Sequence, residues 1–259
     1  MYQYILFEKS DGVATITLNR PEVYHALNSG MMQEITQAIE EAGTDDSARV
    51  IIITGEGRKA FCSGADLKDA ASSARSAGTM LEMYYNPMIL AIRNVPKPVI
   101  CRLNGLAVGA GCSLAIACDA IIASEDAYLS LLFVQIGLMP DAGATFFLPR
   151  RIGMARAFEL ATTGKKVYAP EAEKIGLINK SVPANELDKE TALLADYYRT
   201  APTQAIGVMK HVLNQSYESD LQKMLGLEVV NQDKLFRSQD AAEGISSFLQ
   251  KKRPDFQGK

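Results

Sequence analysis

In the stretch IGLMPDAGATFFLP, residues 136–149, one carboxylate, Asp141, stands among apolar and small neighbours. Moving an ionised carboxylate out of water is so costly that it either finds a partner or shifts its pKa toward the neutral form. Two readings are open. Pro140, Asp141, Ala142 and Gly143 form a good turn tetrad, in which an Asp commonly bonds its own downstream backbone. Alternatively Asp141 is a tuned acid/base facing an apolar pocket, with Phe133, Leu138, Met139 and Phe146 as the sequence neighbours that would line it. Desolvation would then raise its pKa, giving a stronger base with a smaller ionised fraction.

Two glycine-containing segments offer a second kind of chemistry. KAFCSGADLKD (59–69) follows an apolar run at 50–54, and NGLAVGAGCSLAIACD (104–119) follows another at 99–103. Each bend falls just past a strand-like segment, and the second opens a helix whose first amides favour negative charge. Together they could supply one backbone N–H each to a carbonyl oxygen that becomes an enolate, which requires small residues so that the carbonyl reaches about 3 Å from both donors. Tight packing of helix on sheet is the competing explanation. The dinucleotide-binding pattern is weak, because Leu114 stands where a third glycine would be needed after Gly109 and Gly111.

Composition narrows the field. The chain has 259 residues, 47% of them apolar, enough for a large core in one domain or in one domain with an appended helical segment. A net charge of -3 lacks the basic footprint of a nucleic-acid binder. The start MYQYILFEKSDGVATITL has no signal-peptide pattern, and no apolar run approaches the roughly 20 residues needed to span a bilayer, so a soluble, cytoplasmic protein is expected. Cys62, Cys101, Cys112 and Cys118 show no C-x-x-C spacing and read as buried free thiols. With His25 and His211 as the two histidines, a metal site is not expected, and no G-x-S-x-G elbow is present.

The elements that must position these groups alternate in the first half. VATITL (13–18), a helical GMMQEITQAIEEA (30–42) and RVIIIT (49–54) lead to a helix TMLEMYYNPMILAIRNV (79–95), then VICRL (99–103), a Gly-rich bend, helical CSLAIAC and DAIIAS. This order predicts stacked right-handed β-α units. From Pro149 onward the sequence reads as helices without evident strands, including RRIGMARAFELATTG and a long run from Asp220 to Lys252.

TLNRPEVYHALN, FCSGADL, KPVICRLNGLAVGAGCSLAIACD, IGLMPDAGATFFLPRRIG and EGISSFLQKKRPDF follow one another in the order of the recurring segments of the crotonase superfamily, and the chain resembles that family from about residue 3 to 256. The resemblance implies an α/β, ClpP/crotonase-like spiral of β-β-α units. It implies residues 1–200 as the core with an acyl-CoA site, and residues 201–259 as a C-terminal helical trimerisation and CoA-capping region. It also implies an acyl-CoA thioester substrate, a homotrimer or hexamer, and no cofactor beyond the coenzyme A of the substrate. By the same resemblance the oxyanion amides match Ala65 and Ala110. Ser63, Gly64, Asp66, Leu67, Lys68, Gly109 and Phe133 match the CoA and substrate contacts, and Lys252, with Lys251 and Arg253 as alternatives, matches a phosphate contact of the tail.

The carboxylates then decide the branch. The two glutamates of the family's hydratases align with Ser113 and Phe133, and both are missing here. What remains is Asp141, at the position where resembling 3-enoyl/2-enoyl-CoA isomerases carry a single acid that moves a proton along the acyl chain. The overall likeness is to that branch and to the isomerase acting on the ring epoxide of phenylacetyl-CoA, with Gly143-Ala144 replacing the usual Gly-Gly. The related haloaryl-CoA dehalogenases use a His and a Trp that align with Asn86 and Phe133, which argues against dehalogenation. Asp66 and Asp119 are expected to be structural or CoA-shaping, and Tyr84 and Tyr85 to pack. An enoyl-CoA hydratase and a noncatalytic acyl-CoA binder remain the alternatives.

Overall fold

The computed structural model of the chain describes residues 2–72 and 75–259. Its strands are β1 (Ile5–Ser10), β2 (Val13–Leu18), β3 (Val50–Gly55), β4 (Ala60–Cys62), β5 (Val99–Leu103), β6 (Leu106–Val108), β7 (Ala120–Ser124), β8 (Tyr128–Ser130), β9 (Val167–Tyr168) and β10 (Lys180–Val182). They form a six-stranded sheet, order β1-β2-β3-β5-β7-β10, and a four-stranded sheet, order β4-β6-β8-β9. β1 pairs antiparallel with β2, β8 pairs antiparallel with β9, and the other pairings are parallel. From β3 to β8 successive strands alternate between the two sheets. Each β-β-helix turn thus adds one strand to each sheet, the spiral the sequence predicts.

Burial explains the strand patterns. β2 alternates buried with half-buried positions, whereas β3 is buried at every position, as a parallel strand covered on both faces must be. The helix Ser29–Thr44 buries Met31, Met32, Ile35, Ala38, Ile39 and Ala42 on one stripe. Asn28 caps its start by accepting from the Met31 amide, and the Lys97 ammonium donates to the Ala42 and Asp45 carbonyls at its end, both at 2.7 Å. The four cysteines are free and buried, and burial pushes the Cys62 and Cys112 thiols up to about 12.

Three expectations need correction. The C-terminal part does contain strands: β9 and β10 are too short to display a period of two, and they exist because β8 and β7 offer pairing edges. The run 150–164 is two helices, Ala144–Ile152 and Met154–Thr163, divided at Gly153, whose φ of 77° ends the first. The run from Asp220 is likewise two, Leu221–Phe236 and Gln239–Leu249, the second started by Ser238 capping the Ala241 amide. No residue of Leu221–Phe236 is buried in the single chain, and Leu221, Val229, Val230 and Phe236 are each at least 69% exposed. None of the described helices is long and apolar enough to cross a membrane.

Candidate active site

β4 and β6 lie side by side in parallel, with a bulge that fits Ala60 and Cys62 opposite Leu106 and Ala107. Both bends therefore leave the same end of the small sheet. In the first, the Leu27 amide donates to the Gly64 carbonyl at 2.7 Å and the Asp66 amide donates to the Leu27 carbonyl at 2.9 Å. This one-residue parallel bridge uses the groups on either side of Ala65 and leaves the Ala65 N–H outside the pairing. In the second, Ala110 is the first residue of the helix Ala110–Ala117, so its N–H lacks an intrahelical acceptor. Neither amide donates to another described residue.

Glycine makes the close approach possible. Gly64 has φ +99° and Gly109 φ +53°, and a Cβ on Gly64 would sit 2.7 Å from the Val108 carbonyl oxygen and 3.4 Å from the Ala110 nitrogen. A Cβ on Gly109 would sit 4.0 Å from both the Gly64 Cα and the Phe133 ring. The bends thus abut, with Phe133 against them, and each carries one backbone donor without a partner among the described residues.

Asp141 precedes a left-handed reversal: Ala142 has φ +49°, Gly143 has φ +79°, and the Ala144 amide donates to the Asp141 carbonyl at 3.0 Å. The turn therefore runs Asp141–Ala144, one residue later than the tetrad read from the sequence. The carboxylate does not cap it. No described residue donates to the Asp141 side chain, and its Oδ1 is buried without a partner. Burial alone pushes the group up to about 6. The turn is seated on the helix Asn86–Asn94, since a Cβ on Gly143 would lie 3.5 Å from the Ile89 side chain. Ala144, fully buried, opens the next helix where the family resemblance implies a second glycine.

The remaining candidates divide. Phe133 is buried, but Leu138 and Met139 are 55% and 70% exposed and do not wall the carboxylate in the single chain; Phe146 stacks instead on the Arg150 guanidinium, 3.5 Å from its ring centroid. Ser113 is fully buried and its hydroxyl donates to the Gly109 carbonyl of its own helix at 3.4 Å. Ser63 donates its hydroxyl to the Val23 carbonyl, and Leu67 and Lys68 are exposed beside it. Asp66 accepts from Arg20 at 2.9 Å and from the Lys68 and Asp69 amides; burial pushes its pKa up, but these donors outweigh it and the net shift is downward. It shapes the bend. Asp119 accepts from the Arg93 guanidinium (2.9 Å), the Lys210 ammonium (2.6 Å) and the Val99 amide (2.8 Å), a structural strut as expected.

Lys252 is exposed, and its amide donates to the Ser247 carbonyl of the preceding helix. The tail beyond it is tied down by Asp240, which accepts from the Gln257 and Gly258 amides, and by Arg49, which donates to the Phe256 carbonyl. No described hydrogen bond or ion pair joins the Lys252 side chain to the bends. Sequence reasoning missed the Leu27 bridge, which frees the Ala65 amide, and the left-handed Ala142, because neither leaves a residue-type signal.

Residues 8–259 match the family described as Enoyl-CoA hydratase/isomerase. A probable enoyl-CoA hydratase of Rhodobacter capsulatus is 42% identical over 100% of this chain and 99% of its own. The 1,2-epoxyphenylacetyl-CoA isomerase of Escherichia coli is 38% identical over the full length of both. The crystal structure of an enoyl-CoA hydratase from Bacillus anthracis superimposes with a TM-score of 0.93 at 31% identity, covering 99% of this chain and 100% of that one.

Proposed function

The chain belongs to the enoyl-CoA hydratase/isomerase family, with the crotonase fold, and from that premise we propose that it is an acyl-CoA isomerase working through one carboxylate. It shifts a 3-enoyl thioester to the 2-enoyl isomer, or isomerises the ring epoxide of phenylacetyl-CoA. Asp141 removes a proton from C2, and the electron pair of the broken C–H bond delocalises through the thioester carbonyl as a dienolate. The Ala65 and Ala110 amides hold the oxygen of that dienolate. Asp141 then returns the proton at C4, leaving the double bond between C2 and C3. A shuttle of this kind consumes no water and needs no second acid. The bends around Ser63–Lys68 hold the CoA moiety, Lys252 contacts its phosphates across an assembly, and the exposed face of Leu221–Phe236 is covered in a trimer or a pair of trimers.

The observation that carries this reading is the unpartnered, raised carboxylate of Asp141, whose neighbour Tyr85 also lies near Cys62 and Asp66 of the first bend. Hydratase is the second reading, favoured by the name of the Rhodobacter capsulatus relative. Against it, Ser113 is locked to its own helix and Phe133 has no proton to move, so the two-carboxylate activation of water has no equivalent. The deciding experiment offers 3-hexenoyl-CoA, crotonyl-CoA and the phenylacetyl-CoA ring epoxide in parallel. Isomerisation of the first or third with hydration slower by at least about 100-fold is expected; hydration as the fastest reaction overturns the assignment, and no turnover of any of the three supports a noncatalytic binder.

A further inference from the structure

The helix that carries Ile89 does not begin in regular α geometry. Leu81–Tyr85 is a widened π-turn, closed by the Asn86 amide reaching back five residues to the Leu81 carbonyl. Such insertions rotate one side chain out of helical register and are frequent at functional sites. Here Tyr84 and Tyr85 are both 7% exposed. Tyr84 packs, with the Arg75 guanidinium 5.9 Å from its ring. Tyr85 differs: its ring is buried, no described residue hydrogen-bonds its hydroxyl, and that oxygen is not among the fully buried unpaired atoms, so solvent still reaches it.

The position of that hydroxyl follows from the helix. Ile89, four residues on and therefore on the same face, touches the Asp141–Ala144 turn at Gly143. Tyr85 thus lies one turn back along the face that packs against Asp141. Burial first, then the nearby Asp141, Cys62, Asp69 and Asp66 side chains, push the phenol up and keep it protonated. An ionisable acceptor and a neutral donor thus lie near each other, and neither hydrogen-bonds the other or any other described side chain. A hydrocarbon acyl chain that displaced water from the phenol would leave it without an acceptor, a cost that an oxygen on the acyl group removes.

We propose that the Tyr85 hydroxyl donates a hydrogen bond to an oxygen atom carried by the acyl group, so that the site prefers oxygen-bearing acyl thioesters to their hydrocarbon counterparts. This deepens the isomerase reading and rests on it for the position of the acyl group. The test is binding of phenylacetyl-CoA and of 2-hydroxyphenylacetyl-CoA, measured by calorimetry on the unmodified protein and on Tyr85→Phe. The unmodified protein is expected to bind the hydroxylated thioester at least about fivefold more tightly, and Tyr85→Phe to lose that preference. Removing a hydroxyl that bonds nothing leaves packing intact, and Tyr85→Met serves as a second hydroxyl-free variant. Equal binding of the two ligands by the unmodified protein overturns the proposal, as does a preference that survives both substitutions. Asp141→Asn separates the two ideas: retained isomerisation in that variant defeats the base assignment, whereas the ligand preference reports on Tyr85 alone.

Discussion

Asp119 and Asp141 are the same side chain treated in opposite ways. Asp119 holds two cations and a backbone amide, joining the start of β5, the end of the helix Asn86–Asn94 and the helix Thr203–Leu213. The Asp141 carboxylate is half-buried and no described residue hydrogen-bonds it. A carboxylate with its lone pairs occupied is a fastener, because protonating it would cancel its ion pairs and take an oxygen lone pair from its donors. One stripped of partners is held near the point of taking up a proton, which is what a shuttle requires. The price of the second arrangement is stability, and the contrast between the two predicts how they fail.

The largest effect should come from Asp141→Asn, which keeps the shape and removes the base: isomerisation is expected to fall by at least about 1,000-fold with acyl-CoA binding retained. The same variant should be more stable. The folded pKa of about 6 lies above the ordinary value of 3.8, so the native state binds the proton more tightly and loses stability as pH rises through that window. Allowing for solvent screening, the Asn variant should gain about 1–2 kcal/mol near pH 7.5, shrinking toward zero below pH ~4, as read by denaturant unfolding at both pH values. A variant that is inactive and no more stable would break the contrast.

Asp119→Asn should fail in the other way. Leaving Lys210, 7% exposed at its side chain, without its anion is expected to cost about 3–5 kcal/mol of unfolding free energy, with turnover per folded molecule close to normal. Ala110→Pro comes next. Proline is tolerated as the first residue of a helix, so the fold should survive while one oxyanion donor is lost; kcat is expected to drop by about 100- to 1,000-fold. Wild-type turnover in the folded Pro variant would remove that amide from the oxyanion site. The smallest effect is the acid limb of the pH–rate profile. Activity should fall as pH drops through about 6, where Asp141 takes up its proton, and a limb near 4 would mean a solvated carboxylate.

Much of this was legible from residue types. β2 and β5 start and end where VATITL and VICRL do, since long apolar or alternating runs announce themselves. Asp141 and the two bends were visible because a lone acid in an apolar stretch and glycines past a strand are compositional facts. β9 and β10 were not, because two or three residues carry no period and owe their form to a neighbour's edge. Nor could the sequence distinguish Tyr85 from Tyr84: their difference lies in a widened helical turn. The exposure of Leu138 and Met139 was equally hidden, because adjacency along the chain says nothing about which wall of a pocket a side chain joins.

The pairing of β4 with β6 also acts as a ruler. Parallel strands sit about 4.8 Å apart, and the two free amides leave neighbouring strands just past their ends. Donors spaced by roughly that distance, each about 2.9 Å from one oxygen, subtend an angle of about 110° at it, close to the directions of its lone pairs. The separation of the donors is therefore governed by backbone, through the strand pairing and the glycine bends that follow it, rather than by any side chain. Substitutions at Asp141 lie outside that backbone frame, so under the proposed function the donors stay fixed while the proton chemistry run beside them changes.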